Sequence, residues 1–332
     1  MARRRQRLLV AVALALAAAP ARAGEVELAG TTWRLAADVK AGSMAWGVSA
    51  SPDGQAVYVA HVGYRGRDNV WRFDPATLEV KAKSRFPGHA VEALTSADAK
   101  TVYVSNSRKD RILALDAATL AVTARWDTGR LPKDFALSAD ERTIVVGNWA
   151  SGTITVIDVG GGGARQLAVG KKPRGVALTR DGRKAFVANY GSGDVAVVDL
   201  AALAVTRRIP ACANPAHAVL ADGERRLLVT CYGARDVLVI DTAREVVERK
   251  VRVGRRPNDL VVTRDGRFAL TADEGAGSVT VIDLATWETA TLPLAVARPC
   301  GIDVAPDDRR VWVTARGSNR LLVIERADGA AE

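Results

Sequence analysis

Two sets of residues in this 332-residue chain have side chains suited to chemistry. The first is Glu92, Asp134, His217 and Asp259, with His61 and Asp273 as companions. Carboxylates and imidazoles gathered in one place suit a divalent cation, His favouring zinc and the carboxylates calcium or magnesium. These six carry none of the local spacing of a metal motif, and a water-filled polar channel with capped strand ends is the alternative. The second set is Trp46, Lys133, Trp149, Arg174, Tyr190 and Tyr232, near Arg130, Lys171, Lys172, Arg255 and Arg256. Aromatic faces interleaved with cations suit an anionic, planar or single-stranded ligand. The plainer alternative is aromatic packing between structural elements with solvated cations at loop tips.

Several other chemistries lack their signatures. The chain has no Cys-x-x-Cys-His, no Gly-x-Ser-x-Gly elbow and no Gly-rich phosphate loop opening a helix. With three His in all, a Ser-His-Asp site has few candidates, and nothing marks Ser105 or Ser107 as a nucleophile.

The elements that must position these residues are written in a repeat. An apolar run closed by an acid ends at Asp74, Asp116, Asp158, Asp199, Asp241, Asp283 and Glu325, in steps of 42, 42, 41, 42, 42 and 42 residues. The fourth period reads as four strands: residues 174–179, 184–189, 195–199 and 203–209, joined by turns at Asp181-Gly182 and Gly191-Ser192-Gly193. Four short β-rich strands in about 40–45 residues make a propeller blade. The prediction is an all-β, seven-bladed β-propeller. The last period runs out before its outermost strand, and Thr31 to Leu35 stands where that strand is missing. The N-terminal segment is therefore expected to complete blade seven and close the ring. Residues 24–332 then form one propeller domain despite the chain length.

Aligning the periods turns scattered residues into rings around the axial channel. One column reads Gly47, Glu92, Asp134, Gly175, His217, Asp259, Gly301, and another His61, Asn106, Asn148, Asn189, Cys231, Asp273, Ala315. A third, Val62, Ser107, Trp149, Tyr190, Tyr232, Glu274, Arg316, puts aromatics on three adjacent blades. A structural ring repeats its residue, so columns that break the repeat mark the face that carries specificity.

Residues 1–23 read as a secretory signal peptide: Arg3, Arg4, Arg5 and Arg7, then an apolar stretch from Leu8 to Ala19, then Ala21-Arg22-Ala23. An uncleaved anchor helix is the alternative. The formal charge of +10 includes five Arg in this segment, so the mature chain has 42 basic against 37 acidic residues. So modest an excess does not require a nucleic-acid partner. The expected location is periplasmic or secreted, with no membrane span in the mature chain. Export permits disulfides. The columns put Cys212 in the loop entering blade five and Cys231 at the end of its second strand, which favours a Cys212–Cys231 bridge with Cys300 free. Three separate buried thiols are the alternative.

The second strands Tyr103-Val104-Ser105-Asn106, Val145-Val146-Gly147-Asn148 and Phe186-Val187-Ala188-Asn189, with turns such as Ser51-Pro52-Asp53-Gly54, resemble the YVTN β-propeller family of exported proteins. The resemblance covers residues 26–327 and implies the fold; relatives it implies include a periplasmic DNA-binding propeller, lactonase-like propellers and haem d-binding propellers. His61, Cys231, Asp273 and Ala315 depart from the family's Asn. The functional expectation is an exported ligand-binding or accessory protein working through its channel mouth, with a small-molecule or anionic ligand or a protein partner. Two alternatives stay open: a metal-assisted hydrolase or lyase with a zinc or calcium cofactor at the mouth, and polyanion or single-stranded DNA binding on the aromatic, basic rim.

Overall fold

Each period of apolar alternation folds into an antiparallel sheet, and seven sheets pack radially as a β-propeller. This is the fold of a computed structural model describing residues 24–63, 68–161 and 163–328. Blade four is typical, with strands Pro173–Leu178, Lys184–Asn189, Asp194–Asp199 and Ala204–Pro210 in sequence order from the axis outward. The described residues contain no helix, and so none long and apolar enough to cross a membrane. The leader expected at residues 1–23 lies outside the described residues.

The ring closes as the repeat arithmetic predicts. Thr31–Lys40 pairs antiparallel with Arg320–Asp328, with Leu35 opposite Ile324 and Trp33 opposite Arg326. Trp33 is fully buried and meets Phe268 of blade six edge-on, ring centroids 5.4 Å apart. Burial of this aromatic pair between blades six and seven makes the closure a packing joint as well as a backbone one. Blade seven departs from the four-strand expectation. Glu25–Leu28 folds back on Thr31–Arg34 as a fifth strand. The hairpin turns through Ala29 and Gly30, both left-handed (φ 51° and 71°), which is the backbone of a two-residue hairpin loop.

The core is divided. Seven apolar clusters fill the gaps between neighbouring blades, for example Phe186, Val195 and Val197 of blade four against Leu227, Val229 and Leu238 of blade five. The six Asp that end third strands accept turn N–H bonds, as Asp74 does from Ala76 and Thr77, both 2.9 Å. That explains their recurrence.

One irregularity recurs in all seven blades and sets up the site. The innermost strand slips register just after its first residue, at Ala45/Val48, Ala90/Ala93, Pro132/Phe135, Pro173/Val176, Pro215/Ala218, Pro257/Asp259 and Pro299/Ile302. A bulge bends the strand and re-aims the side chains it contains. The re-aimed pairs include Lys133-Asp134, Asn258-Asp259 and Trp46-Gly47.

Candidate functional site

The first column forms a cluster around the axis, through His217. Its Nδ1 lies 3.1 Å from Asp134 Oδ2 and 3.1 Å from Asp259 Oδ1, so blade five is tied to blades three and six. Asp259 also accepts the Leu260 and Ile302 N–H bonds at 2.8 and 3.2 Å. Glu92 joins this cluster electrostatically: burial, then the Asp259 and Asp134 charges, hold its carboxyl well above the usual carboxylate range. Burial likewise raises Asp259, against the opposing pull of His217. For His217 burial works downward, but Asp259 and Asp134 outweigh it and the imidazole ends above 6.5. The glycines of this column make room. A Cβ at Gly175 would lie 2.7 Å from His217 Cα, and one at Gly47 would lie 2.5 Å from Glu92 Oε1.

Chemically this is a proton-sharing network. Among the described residues no group of three or more His, Cys, Asp or Glu side chains is arranged to hold a metal ion. The His217 nitrogen that faces the carboxylates already serves two of them, and Asp259 spends both oxygens on backbone N–H groups. Arranged in this way, these residues do not fit a divalent cation.

His61 and Asp273, expected beside these residues, are elsewhere. In blades one, two, four, five and six their column ties down the entering loop. His61 Nε2 accepts the Gly42 N–H at 3.0 Å, Asn189 Nδ2 donates to Val169 O at 3.0 Å, and Asn106 Nδ2 donates to Pro87 O at 2.8 Å. Asp273 accepts from Thr280, Thr271 and Ser278 hydroxyls at 2.6, 2.9 and 3.2 Å. Both are fully buried. Burial lowers His61 to about 4, keeping it neutral for its acceptor role, and raises Asp273 to about 7 against the hydroxyl bonds. In blade five the tether is covalent, because Cys231 is joined to Cys212 of the incoming loop. Cys300 is the free, buried thiol, held up at about 11 by burial.

The second set forms a circuit around the mouth. Trp149 and Tyr190 have centroids 5.0 Å apart and Tyr190 and Tyr232 5.9 Å apart, tilted by 48° and 50°. Lys133 Nζ stands 5.3 Å from the Trp46 ring and 5.9 Å from Trp149, and Lys172 stands 5.5 Å from Trp149. Arg256 covers Tyr232 at 5.9 Å, and Arg316 covers Trp46 at 4.3 Å. Lys172 and Arg256 both have left-handed backbone (φ 53° and 51°) just before a proline. The equivalent residues Leu131, Asn214 and Arg298 are left-handed as well, so this turn belongs to the repeat. Burial, then Arg174 and Arg316, lowers Lys133 to about 8, against the pull of Asp134.

Arg174 belongs under the rim. It is buried, and its Nη2 donates to Asn258 Oδ1 at 2.8 Å while Asn258 Nδ2 donates to Cys300 O at 2.9 Å. It is a strut joining blades four, six and seven.

Sequence reasoning missed three participants. Glu274 is buried, and its Oε1 accepts from Arg298 Nη2 at 2.7 Å and Arg316 Nη2 at 2.6 Å, fixing the arginine that stacks on Trp46. Its signal was present, since Glu274 and Arg316 stand in the aromatic column as an adjacent opposite-charge pair. Asp303 lies two residues along the strand from the Gly301 position, on the same channel wall by strand alternation. Burial raises it to about 6, against N–H bonds from Ala50 and Val304. Asn258 carried no signal, because its partner is reached across the axis.

Comparison with known proteins agrees with this architecture. A family model described as YNCE-like beta-propeller matches residues 43–265. No curated protein matches the chain. Among solved structures, Kuenenia stuttgartiensis hydrazine synthase is similar, with a TM-score of 0.76 and 19% identity over 87% of this chain and 98% of that one. At that identity the likeness is one of fold.

Proposed function

The chain belongs to the YNCE-like β-propeller family, and we propose that it is an exported binding module that takes an anionic ligand with planar rings on its mouth. The observation that carries this reading is the arc Trp149–Tyr190–Tyr232, flanked by Lys133, Lys172 and Arg256. Three aromatic faces on successive blades offer stacking, and the cations supply attraction that does not depend on a ligand's sequence. The Arg-rich head of residues 1–23 and the Cys212–Cys231 bridge support export to an oxidising compartment.

The test uses a short oligothymidylate as probe, followed by tryptophan fluorescence at several salt concentrations. Affinity is expected to fall steeply with salt. Tyr190→Leu should weaken binding by about tenfold with the salt slope unchanged, which is the stacking signature. Lys172→Gln should reduce the slope by about one, the signature of a lost phosphate contact. Absence of binding, or binding indifferent to both variants, would overturn the reading.

A further inference from the structure

A cavity of about 650 Å³ opens beside Tyr190 and Tyr232, between blades five and six. Its wall includes the exposed Arg235, Arg255 and Arg256 and no carboxylate. Three other cavities among the described residues lie on the opposite face of the disc, at the turns between strands. Each carries acids in its wall: Asp222 and Asp283 in one, Asp53, Asp74 and Asp307 in the next, Asp181, Asp199 and Glu224 in the third. The first and third also have a cation paired with an acid, Arg226 with Asp222 at 3.4 Å and Lys184 with Glu245 at 3.1 Å.

The three arginines of the blade five–six cavity have no ion pair among the described residues. The neighbouring acids are already engaged, Glu274 by Arg298 and Arg316 and Asp236 by Arg252. The Arg256 guanidinium lies over the face of Tyr232, 5.9 Å from the ring centroid. The surrounding charge is also lopsided. Residues 171–256 hold 17 Lys and Arg against 9 Asp and Glu, whereas the rest of residues 24–332 holds 25 against 28. An unpaired cluster of guanidinium groups costs self-repulsion unless an anion relieves it.

We propose that this cavity is an anion subsite that takes a phosphoryl group, of a small ligand whose aromatic ring rests on Tyr190 and Tyr232. The chemistry follows from the donors. Guanidinium forks match tetrahedral oxyanions, and a phosphoryl group brings nearly two charges and three acceptor oxygens, enough to neutralise most of three arginines where a carboxylate would neutralise one. The cavity volume lies within the range of small-molecule sites. Arg256 connects the two halves, because the guanidinium that lines the cavity is the one lying over Tyr232. The inference rests on the rim reading for the ring's position and stands apart from it for the anion.

Calorimetric titration with inorganic phosphate, phenyl phosphate and phenol tests both halves. Phenyl phosphate should bind at least about tenfold more tightly than phosphate, by the worth of one stacked ring, and phenol should not compete with phosphate. The double variant Arg255→Gln/Arg256→Gln, both positions being exposed, should weaken phosphate and phenyl phosphate alike by about tenfold or more. Tyr232→Leu should erase the phenyl advantage and leave phosphate binding in place. Failure of wild-type protein to bind phosphate or phenyl phosphate, or equal binding by the double variant, overturns the anion subsite even if oligothymidylate still binds the rim. Phosphate binding that depends on Arg255 and Arg256, with oligothymidylate binding absent, would retain the subsite and reject the rim reading.

Discussion

His217 Nδ1 and Asp134 Oδ2 meet at 3.1 Å across the channel, joining side chains 83 positions apart in the chain. The bond ties blade five to blade three, two blades away, and it sits among carboxyls whose proton affinities are raised by burial and by one another. Stability should therefore be linked to pH in a definite direction. Glu92, Asp259, Asp303 and His217 are all raised above their unfolded values. Their contributions are fully present below those unfolded values, roughly 4 for the carboxyls and 6.5 for His, and are lost as pH rises through the folded ones. At the acid end the turn residues Asp53, Asp98, Asp140 and Asp181, lowered by their Ser or Thr hydroxyl partners, contribute stability that is lost as pH falls through their depressed values. The melting temperature should peak near pH ~5 and fall toward pH ~8, and His217→Gln should flatten the decline above pH ~6.5. A melting temperature that climbs steadily from acid to alkaline pH would refute this.

Asp273 is the acid that replaces Asn in the tether column. In blade three the equivalent Asn148 donates its Nδ2 to the Thr153 and Thr155 hydroxyls at 3.0 and 2.8 Å, positions matching Ser278 and Thr280. Asp273→Asn should thus reproduce the blade three arrangement while removing a buried carboxyl held at about 7. Because that value is raised, the wild type loses stability as pH rises through it. The variant should be more stable than wild type by about 1–3 kcal/mol at pH ~8 and close to it at pH ~5, from urea denaturation.

Cys231 occupies the same column, so the bridge to Cys212 performs in blade five what a side-chain amide performs elsewhere. Beyond it, the Tyr232 N–H donates to Asn214 O at 3.0 Å and Asn214 Nδ2 donates to Tyr190 O at 3.0 Å. Replacing both cysteines by Ser should cost about 2–3 kcal/mol for a loop of this length and weaken rim binding through displaced tyrosines. Cys212→Ala/Cys231→Asn should regain part of both losses. Equal behaviour of the two double variants would show that the column is not a tether.

Lys133 titrates where binding can be measured. Its value near 8 comes from burial, then from Arg174 and Arg316, and its ammonium group stands over two tryptophans. Between pH ~7 and ~9 the emission of Trp46 and Trp149 should change as the charge leaves, and affinity for an anionic probe should decline. Lys133→Met should abolish the fluorescence transition and leave the remaining affinity flat across that range. A transition that survives in Lys133→Met would assign it to another group.

The period of 42 residues, the alternating strands and the unfinished last blade were legible in the sequence, because β-pairing with neighbours in the chain is a local property that repeats with the repeat. The same periodicity gave the columns, and with them the carboxylates beside His217 and the aromatic arc. It also indicated Cys212–Cys231, since both positions fall at one end of one blade. Tertiary structure alone decided which columns face the channel and which are buried among loops. His61 and Asp273 share the residue types of a ligand set, yet the second strand ends against the incoming loop, and a polar side chain sealed there must satisfy backbone donors. Arg174 likewise carries the charge of a rim residue, but the bulge in its strand turns it toward Asn258. The fifth strand of blade seven depended on a left-handed Ala29, which composition does not reveal. Contacts across the axis, such as Arg174 to Asn258 and His217 to Asp134, join residues more than 80 positions apart. Only closure of the ring brings them within reach, because no local pattern encodes which blades face each other through the channel.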